Sequence, residues 1–205
     1  MQEYRKIYED RWLLIVNKPQ GILTAPFNPQ DKDSLLQLLN KEYEKPLFPC
    51  HRLDKDTSGL VIFAKSKTIQ KKIMGLFRSR KINKKYIGVV HGWIEKDNGT
   101  IKNYLFDGSD KKIAITNYRI ILRKPEYTIL EIEPFTGRKN QIRLHFKQIG
   151  HPIVGERKFV FARDYDLRTK KLLLHAVELK FPHPINGKEL KLSSPIPEEI
   201  KKFFQ

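Results

Sequence analysis

Short apolar runs separated by polar turns dominate this chain, and long amphipathic stretches are few. "WLLIVNKPQGIL" at 12–23 opens with an apolar run of strand length and turns at Pro19, Gln20 and Gly21. "DSLLQLLNKEY" spaces Leu35, Leu38 and Leu39 for a short helix, with Asp33 or Ser34 as its cap. The unbroken run "LVIFA" at 60–64 predicts a buried strand. Ser66 then caps a helix through Phe77, whose buried stripe is Ile69, Ile73, Leu76 and Phe77. "KKYIGVVHGWI" reads as a strand with Tyr86, Gly88 and Val90 on one side and Ile87 and Val89 on the other, and "KIAITNYRIIL" and "YTILEIE" continue the series.

The period changes in "PFTGRKNQIRLHFKQIG". After a turn at Gly137, Ile142, Phe146 and Ile149 fall at helical spacing, predicting a helix that ends at Gly150 with Arg143 beside its apolar stripe. "LLLHAVELKF" returns to alternation, and "HPINGKELKL" sets Asn186-Gly187 between two extended runs, a hairpin signal. Pro197 starts a short terminal helix. Strands outnumber helices and no βαβ alternation appears, so the expected class is α+β, with a mixed or antiparallel central sheet and flanking helices.

The 205 residues suit a single domain over 1–205 with one core. No apolar stretch approaches membrane-spanning length and no signal-peptide pattern opens the chain, so a cytoplasmic protein without membrane contact is expected, with a monomer as the plain expectation. Cys50 is the only cysteine, which excludes an intrachain disulfide and a multi-thiolate zinc site.

Charge sharpens this picture. The net charge is +17, and nine basic residues with no acid lie between Lys65 and Lys85. More than half the excess is therefore concentrated in one segment, a candidate polyanion-binding surface, against the alternative of a solvated helix face. Charge alone does not separate RNA, DNA and an anionic membrane.

The residues that could carry chemistry are polar clusters at strand ends. "HRLDKDTSG" at 51–59 stands directly ahead of the buried run, where a rigid element meets the surface. No HExxH, GxSxG, Walker A or GxGxxG pattern is present, so zinc-protease, serine-elbow, nucleotide-hydrolysing and dinucleotide chemistry lack their signatures, and no metal site is expected. Asp54 is the first candidate, because a carboxylate held beside arginine stays ionised and fit for nucleophilic or electrostatic work. Its competing reading, shared with Asp56, is a turn or helix cap. "TGRKNQIR" supplies Arg138 and Arg143, which suit bidentate recognition of carboxylate or phosphate, or else a solvated helix face. Tyr86 fits a core edge as well as a site.

Together these segments resemble the RluA-type family of pseudouridine synthases. The likeness rests on "HRLDKDTSGLVIFAKS" at 51–66, "KKYIGVVHG" at 84–92 and "TGRKNQIRLHFKQIGHPIVGE" at 136–156, with "VNKPQGIL" at 16–23 before them and "LLHAVELKFPHP" at 173–184 after them. It implies that Asp54 is the catalytic aspartate and that Tyr86 stacks on the uracil and handles the proton at carbon 5. Arg143 would pair with the aspartate, and Arg52 would enter the RNA helix where the target base has left. Candidate substrate contacts beside these are His51, Thr57, Arg138, Gln141 and Ile142. Lys65, Lys84 and Lys85 join them from the basic segment. Asn140 and Glu156 depart from the family pattern, where histidine and aspartate are more usual. Both lie outside the implied catalytic set, so the expectation is that they alter RNA contacts more than chemistry. With Trp12 already in the first catalytic strand, no room is expected for the small N-terminal RNA-binding domain that many relatives carry.

The implied reaction breaks the bond from ribose to uracil nitrogen 1, turns the base and rejoins it through carbon 5. It needs no cofactor. An ionised Asp54 could attack carbon 6, attack ribose carbon 1′, or remove the 2′ proton, and the sequence does not choose. Each route requires a base flipped out of its stack in ribosomal RNA or transfer RNA, at a cost that phosphate contacts and stacking must offset. Two rivals remain at this point: an inactive basic RNA-binding or ribosome-associated protein, and a retaining glycosidase, which would need a second essential acid.

Overall fold

The computed structural model describes residues 4–28, 30–31, 33–160, 167 and 169–205. In chain order the first elements are β1 (Arg5–Glu9), β2 (Leu13–Lys18), α1 (Leu35–Glu42), β3 (Phe48–Pro49), β4 (Ser58–Ala64) and α2 (Lys67–Arg78). There follow β5 (Asn83–His91), β6 (Asn98–Asp107), β7 (Asp110–Lys124), β8 (Tyr127–Pro134) and α3 (Gln141–Gln148). The chain closes with β9 (Leu174–Pro182), β10 (Glu189–Ser193), α4 (Glu198–Lys201) and a 3-10 turn at Lys202–Phe204. The α+β class with a largely antiparallel sheet is as the sequence predicts. The chain folds into two compact units, one of residues 1–83 with 176–195 and the other of 84–175 with 196–205.

In the first unit β2 pairs antiparallel with β1 on one side and β4 on the other, in a register that runs from Leu13 opposite Ala64 to Lys18 opposite Gly59. All seven residues of β4 are buried, as an unbroken apolar run requires. Leu13, Ile15, Leu60, Ile62, Leu179 and Phe181 from the strands pack with Ile69 and Ile73 of α2. Ser66 caps α2 by accepting from the Ile69 N–H, and Ser34 closes a reciprocal capping box with Gln37 at α1. Gly59 has φ +118°, and a Cβ there would stand 2.3 Å from the Ala176 carbonyl oxygen, so only glycine lets the chain enter β4 so close to β9. Cys50 is a buried thiol, pushed up to about 12 by desolvation.

The second unit carries an antiparallel meander in which β7 pairs with both β6 and β8, and β8 pairs with β5. Helix α3 lies against β6 and β7, with Phe146 edge-on to Tyr118 at 5.7 Å between ring centroids. Ile142 and Phe146 are buried as their spacing predicts, but Ile149 is 38% exposed. The helix ends two residues earlier, at Gln148, and with Gly150 at φ +82° turning the chain away, Ile149 does not join the stripe. The Asn186-Gly187 hairpin also forms, but β9 and β10 pair only from Pro182 opposite Glu189, leaving a six-residue loop. Pro184 cannot donate to a tighter ladder, and the His183 side chain accepts from the Ile185 and Asn186 N–H groups instead.

Two buried histidines of the second unit make stability sensitive to acid. His145 and His175 are fully buried, and desolvation lowers each to about 4. The unfolded chain takes up protons on these groups from about pH 6.5 downward while the folded chain does not, so stability falls as pH drops through that window toward 4. Urea unfolding at pH 7 and pH 5 should show a loss of about 2 kcal/mol per histidine. Equal stability at the two pH values would contradict this account.

Candidate active site

In the first unit the HRLD turn is fixed from below by a buried lysine. Lys18, at the end of β2, is completely buried, and its Nζ donates to the carbonyls of Pro19 at 2.9 Å, Ile22 at 2.8 Å and Lys55 at 3.1 Å. Three acceptors match the three N–H groups of an ammonium. Burial pushes Lys18 down, to about 7, against the opposing pull of Asp56 and Asp54. The Gly21 N–H also donates to the Lys55 carbonyl, while Thr24 Oγ1 donates to the Leu53 carbonyl and accepts from the Leu53 N–H, both at 3.1 Å. The Thr57 N–H closes a turn onto the Asp54 carbonyl at 3.1 Å. The residues on both sides of Asp54 are thus tied to the loop that follows β2. The motif "VNKPQGIL" by itself gives Lys18 no role; a lysine ending a buried strand just before proline is the available signal.

The expected substrate contacts of this unit fall in different settings. Asp54 is half-buried and Arg52 exposed, its guanidinium 5.6 Å from the Phe27 ring centroid. The His51 Nε2 accepts from the Ile62 N–H at 3.1 Å, and its ring lies 5.0 Å from that of Phe77, so this histidine also anchors the turn to β4. Thr57 is buried, and its hydroxyl oxygen has no hydrogen-bond partner among the described residues. Lys65 donates to Glu9 at 2.7 Å and lies over the Tyr43 ring. Of the nine basic residues between 65 and 85, six stand exposed: Lys67, Lys71, Lys72, Arg78, Arg80 and Lys81. Four of these, Lys67, Lys71, Lys72 and Arg78, stand on α2, and Arg80 and Lys81 follow directly after it.

In the second unit Tyr86 lies on β5 opposite Ile132 of β8 and is buried. Its neighbours diverge. Lys85 pairs with Glu131 at 3.2 Å and Glu133 at 3.3 Å, whereas half-buried Lys84 lies beside Gly137 and is pushed down to about 8 by desolvation. Gln141 is buried and spends its amide on the fold. Its Oε1 accepts from the Thr136 hydroxyl at 2.6 Å and the Arg138 N–H at 3.0 Å, and its Nε2 donates to the Ile115 carbonyl and to Thr116 Oγ1. These bonds shape the turn that carries Arg138, whose Nε donates to the Ile113 carbonyl. Ile142 packs inward.

Arg143 is 4% exposed and held on several sides. Its Nε and Nη2 donate to Glu156 Oε2 at 2.6 Å and Oε1 at 2.7 Å, its Nη1 donates to Asn140 Oδ1 at 3.2 Å, and its guanidinium carbon stands 5.0 Å from the Phe159 ring centroid. Glu156 is itself buried; burial works to raise its pKa, but Arg143 and the N–H groups of Lys158 and Phe159 hold the carboxyl below its ordinary value. Asn140 and Glu156, the two departures from the family pattern, both contact Arg143. Among the described residues no cluster of His, Cys, Asp and Glu could hold a metal ion, and no helix is long and apolar enough to cross a membrane.

The model of a family described as RNA pseudouridylate synthase matches residues 12–148, a stretch that contains the HRLD turn, the tyrosine strand and the arginine helix. The chain belongs to the RNA pseudouridylate synthase family. Among its curated relatives, the dual-specificity RNA pseudouridine synthase RluA of Haemophilus influenzae is 35% identical over 92% of this chain and 91% of its own length. The tRNA pseudouridine synthase C of Vibrio parahaemolyticus is 30% identical over 98% of this chain and 94% of its own. The fold matches that of human RNA pseudouridylate synthase domain containing 1 with a TM-score of 0.80 and 22% identity, over 95% of this chain and 84% of that one. The chain is an RNA pseudouridine synthase, and nothing in these likenesses favours a binder without activity.

Proposed function

We propose that the protein isomerises flipped uridines of transfer RNA, ribosomal RNA or both, as a cytoplasmic monomer without a cofactor, with Asp54, Tyr86 and Arg143 as its catalytic residues. The observation that carries this reading is the family match across residues 12–148, which covers all three side chains in the order the resemblance requires. Asp54 is the catalytic carboxylate, on a turn that Lys18 and Thr24 tie to the end of β2. Tyr86 supplies a ring for stacking on the uracil, and Arg143 supplies a fixed cation. Relatives named for transfer RNA and for the ribosomal large subunit support the two substrate classes. Unmodified transfer RNA and large-subunit ribosomal RNA transcripts, treated with the protein and digested to nucleosides, test the assignment. Pseudouridine should replace uridine at a defined position in at least one of them; uridine unchanged in both would refute the proposed substrates.

The exposed basic face of α2 grips the phosphate backbone in this reading. Replacing Lys71 and Lys72 together by Gln should weaken RNA binding and reduce the slope of log affinity against log salt by roughly 0.7 for each phosphate no longer neutralised. The turnover number at saturating RNA should stay as it was. An unchanged salt slope would remove α2 from the interface.

A further inference from the structure

We infer that Glu156, with Asn140, is a positioning element for Arg143: the two side chains set the direction in which its guanidinium is presented. The inference rests on the role proposed above for Arg143. An arginine has five N–H donors in a rigid plane. Glu156 takes the Nε donor and one on Nη2, and Asn140 takes one on Nη1. These bonds hold three of the five donors, and because the group is planar they set the direction of the whole guanidinium. One bond would leave the plane free to rotate about it. Two to a single carboxylate and a third to an amide do not.

The holders are themselves held. Glu156 Oε1 also accepts from the backbone N–H groups of Lys158 at 2.8 Å and Phe159 at 3.3 Å, so the carboxylate is pinned from its own chain as well as from the arginine. Its N–H donates to the Ile153 carbonyl at 3.0 Å. The preceding Gly155, at φ +84°, lies where a Cβ would stand 2.1 Å from the Lys171 carbonyl oxygen, so the backbone that carries Glu156 is pressed against a neighbouring segment. Asn140 sits at φ 54° as the N-cap of α3, a left-handed conformation that asparagine tolerates, and its side chain makes no cap hydrogen bond. The Oδ1 goes to Arg143 instead. The Phe159 ring completes the enclosure.

The charge balance gives the arrangement a second consequence. A cation as buried as Arg143 requires a partner, and Glu156 supplies one that takes no part in the proposed chemistry. The reading predicts an effect on turnover transmitted through Arg143 alone.

The test uses the full chain with unmodified transfer RNA and large-subunit ribosomal RNA transcripts carrying tritium at uridine carbon 5. Glu156→Gln keeps the shape of the side chain, removes its charge and should lower kcat by on the order of 10²-fold through a misdirected guanidinium, with KM held within about threefold. Glu156→Asp keeps the charge and both carboxylate oxygens but sets them one methylene further from Arg143, so its kcat should lie between those of the natural protein and Glu156→Gln. Asn140→Gly keeps the left-handed backbone, removes the side chain and with it the Oδ1 acceptor, and should lower kcat about tenfold. Thermal melting and the RNA dissociation constant of each variant show whether it has folded. In the double variant Arg143→Ala with Glu156→Gln, kcat should be no lower than with Arg143→Ala alone. Multiplicative losses, or a Glu156→Gln enzyme as fast as the natural one beside a slow Arg143→Ala enzyme, would overturn the positioning role while leaving Arg143 in place. An Arg143→Ala enzyme of full activity would remove the proposed role of Arg143, and this inference with it.

Discussion

Asp54→Asn should lower turnover by on the order of 10³-fold or more while leaving RNA affinity within about twofold of the natural protein. The substitution keeps the volume of the side chain and removes the negative charge. Each of the three possible routes needs that charge, whether for attack at carbon 6, attack at carbon 1′ or removal of the 2′ proton. The fold should tolerate the change, because the variant keeps the Thr57 N–H to the Asp54 carbonyl, Thr24 to Leu53, and Lys18 to the Lys55 carbonyl. Affinity and turnover therefore separate. A variant that lost both together would mean that Asp54 holds the turn rather than carries the reaction.

Lys18→Met should do the reverse, damaging the fold first and the reaction through it. Methionine fills much of the same volume, but the carbonyls of Pro19, Ile22 and Lys55 lose the donor they share. Lys55 retains the Gly21 N–H, so the loss falls mainly on the other two. A buried acceptor left without a donor costs about 1–3 kcal/mol, and the total expected is about 3–5 kcal/mol. Urea unfolding measures it. Under conditions where the variant is still folded, kcat should be lower by roughly 10²-fold, because the turn beside Asp54 is then without one of its anchors. A variant as stable and as active as the natural protein would show that the three bonds contribute nothing.

Much of the architecture was legible from local pattern. The run "LVIFA" could only be buried, and β4 is buried throughout. Ser66 and the spacing of Ile69 and Ile73 located α2, and Ile142 with Phe146 located α3. The strand over Asn98–Asp107 was not legible, because among its described side chains only Ile101 and Leu105 are buried, between exposed polar and aromatic residues, and pairing with β7 decides it. The six-residue loop between β9 and β10 depends on the His183 side chain, which no dipeptide signal contains.

The candidate site divided in the same way. Asp54, Tyr86 and Arg143 were singled out from motifs, since the chemistry of a residue type is visible in a short segment. The groups that hold them were not. Lys18 lies 36 residues before Asp54 in the chain, and Glu156 lies 13 after Arg143, so neither partnership shows in a local window. Glu156 and Asn140 stand out in the sequence only as departures from a pattern, and their common contact emerges once α3 and the turn after Ile153 are in place.

The most direct test of the account is tritium release from uridine carbon 5 of unmodified transfer RNA and ribosomal RNA transcripts, with the natural protein and Asp54→Asn side by side at equal bound RNA. Release by the natural protein from at least one transcript, and none above background with Asp54→Asn, is the predicted result. Equal release by both proteins would contradict the role of Asp54, and no release by either would contradict the proposed substrates.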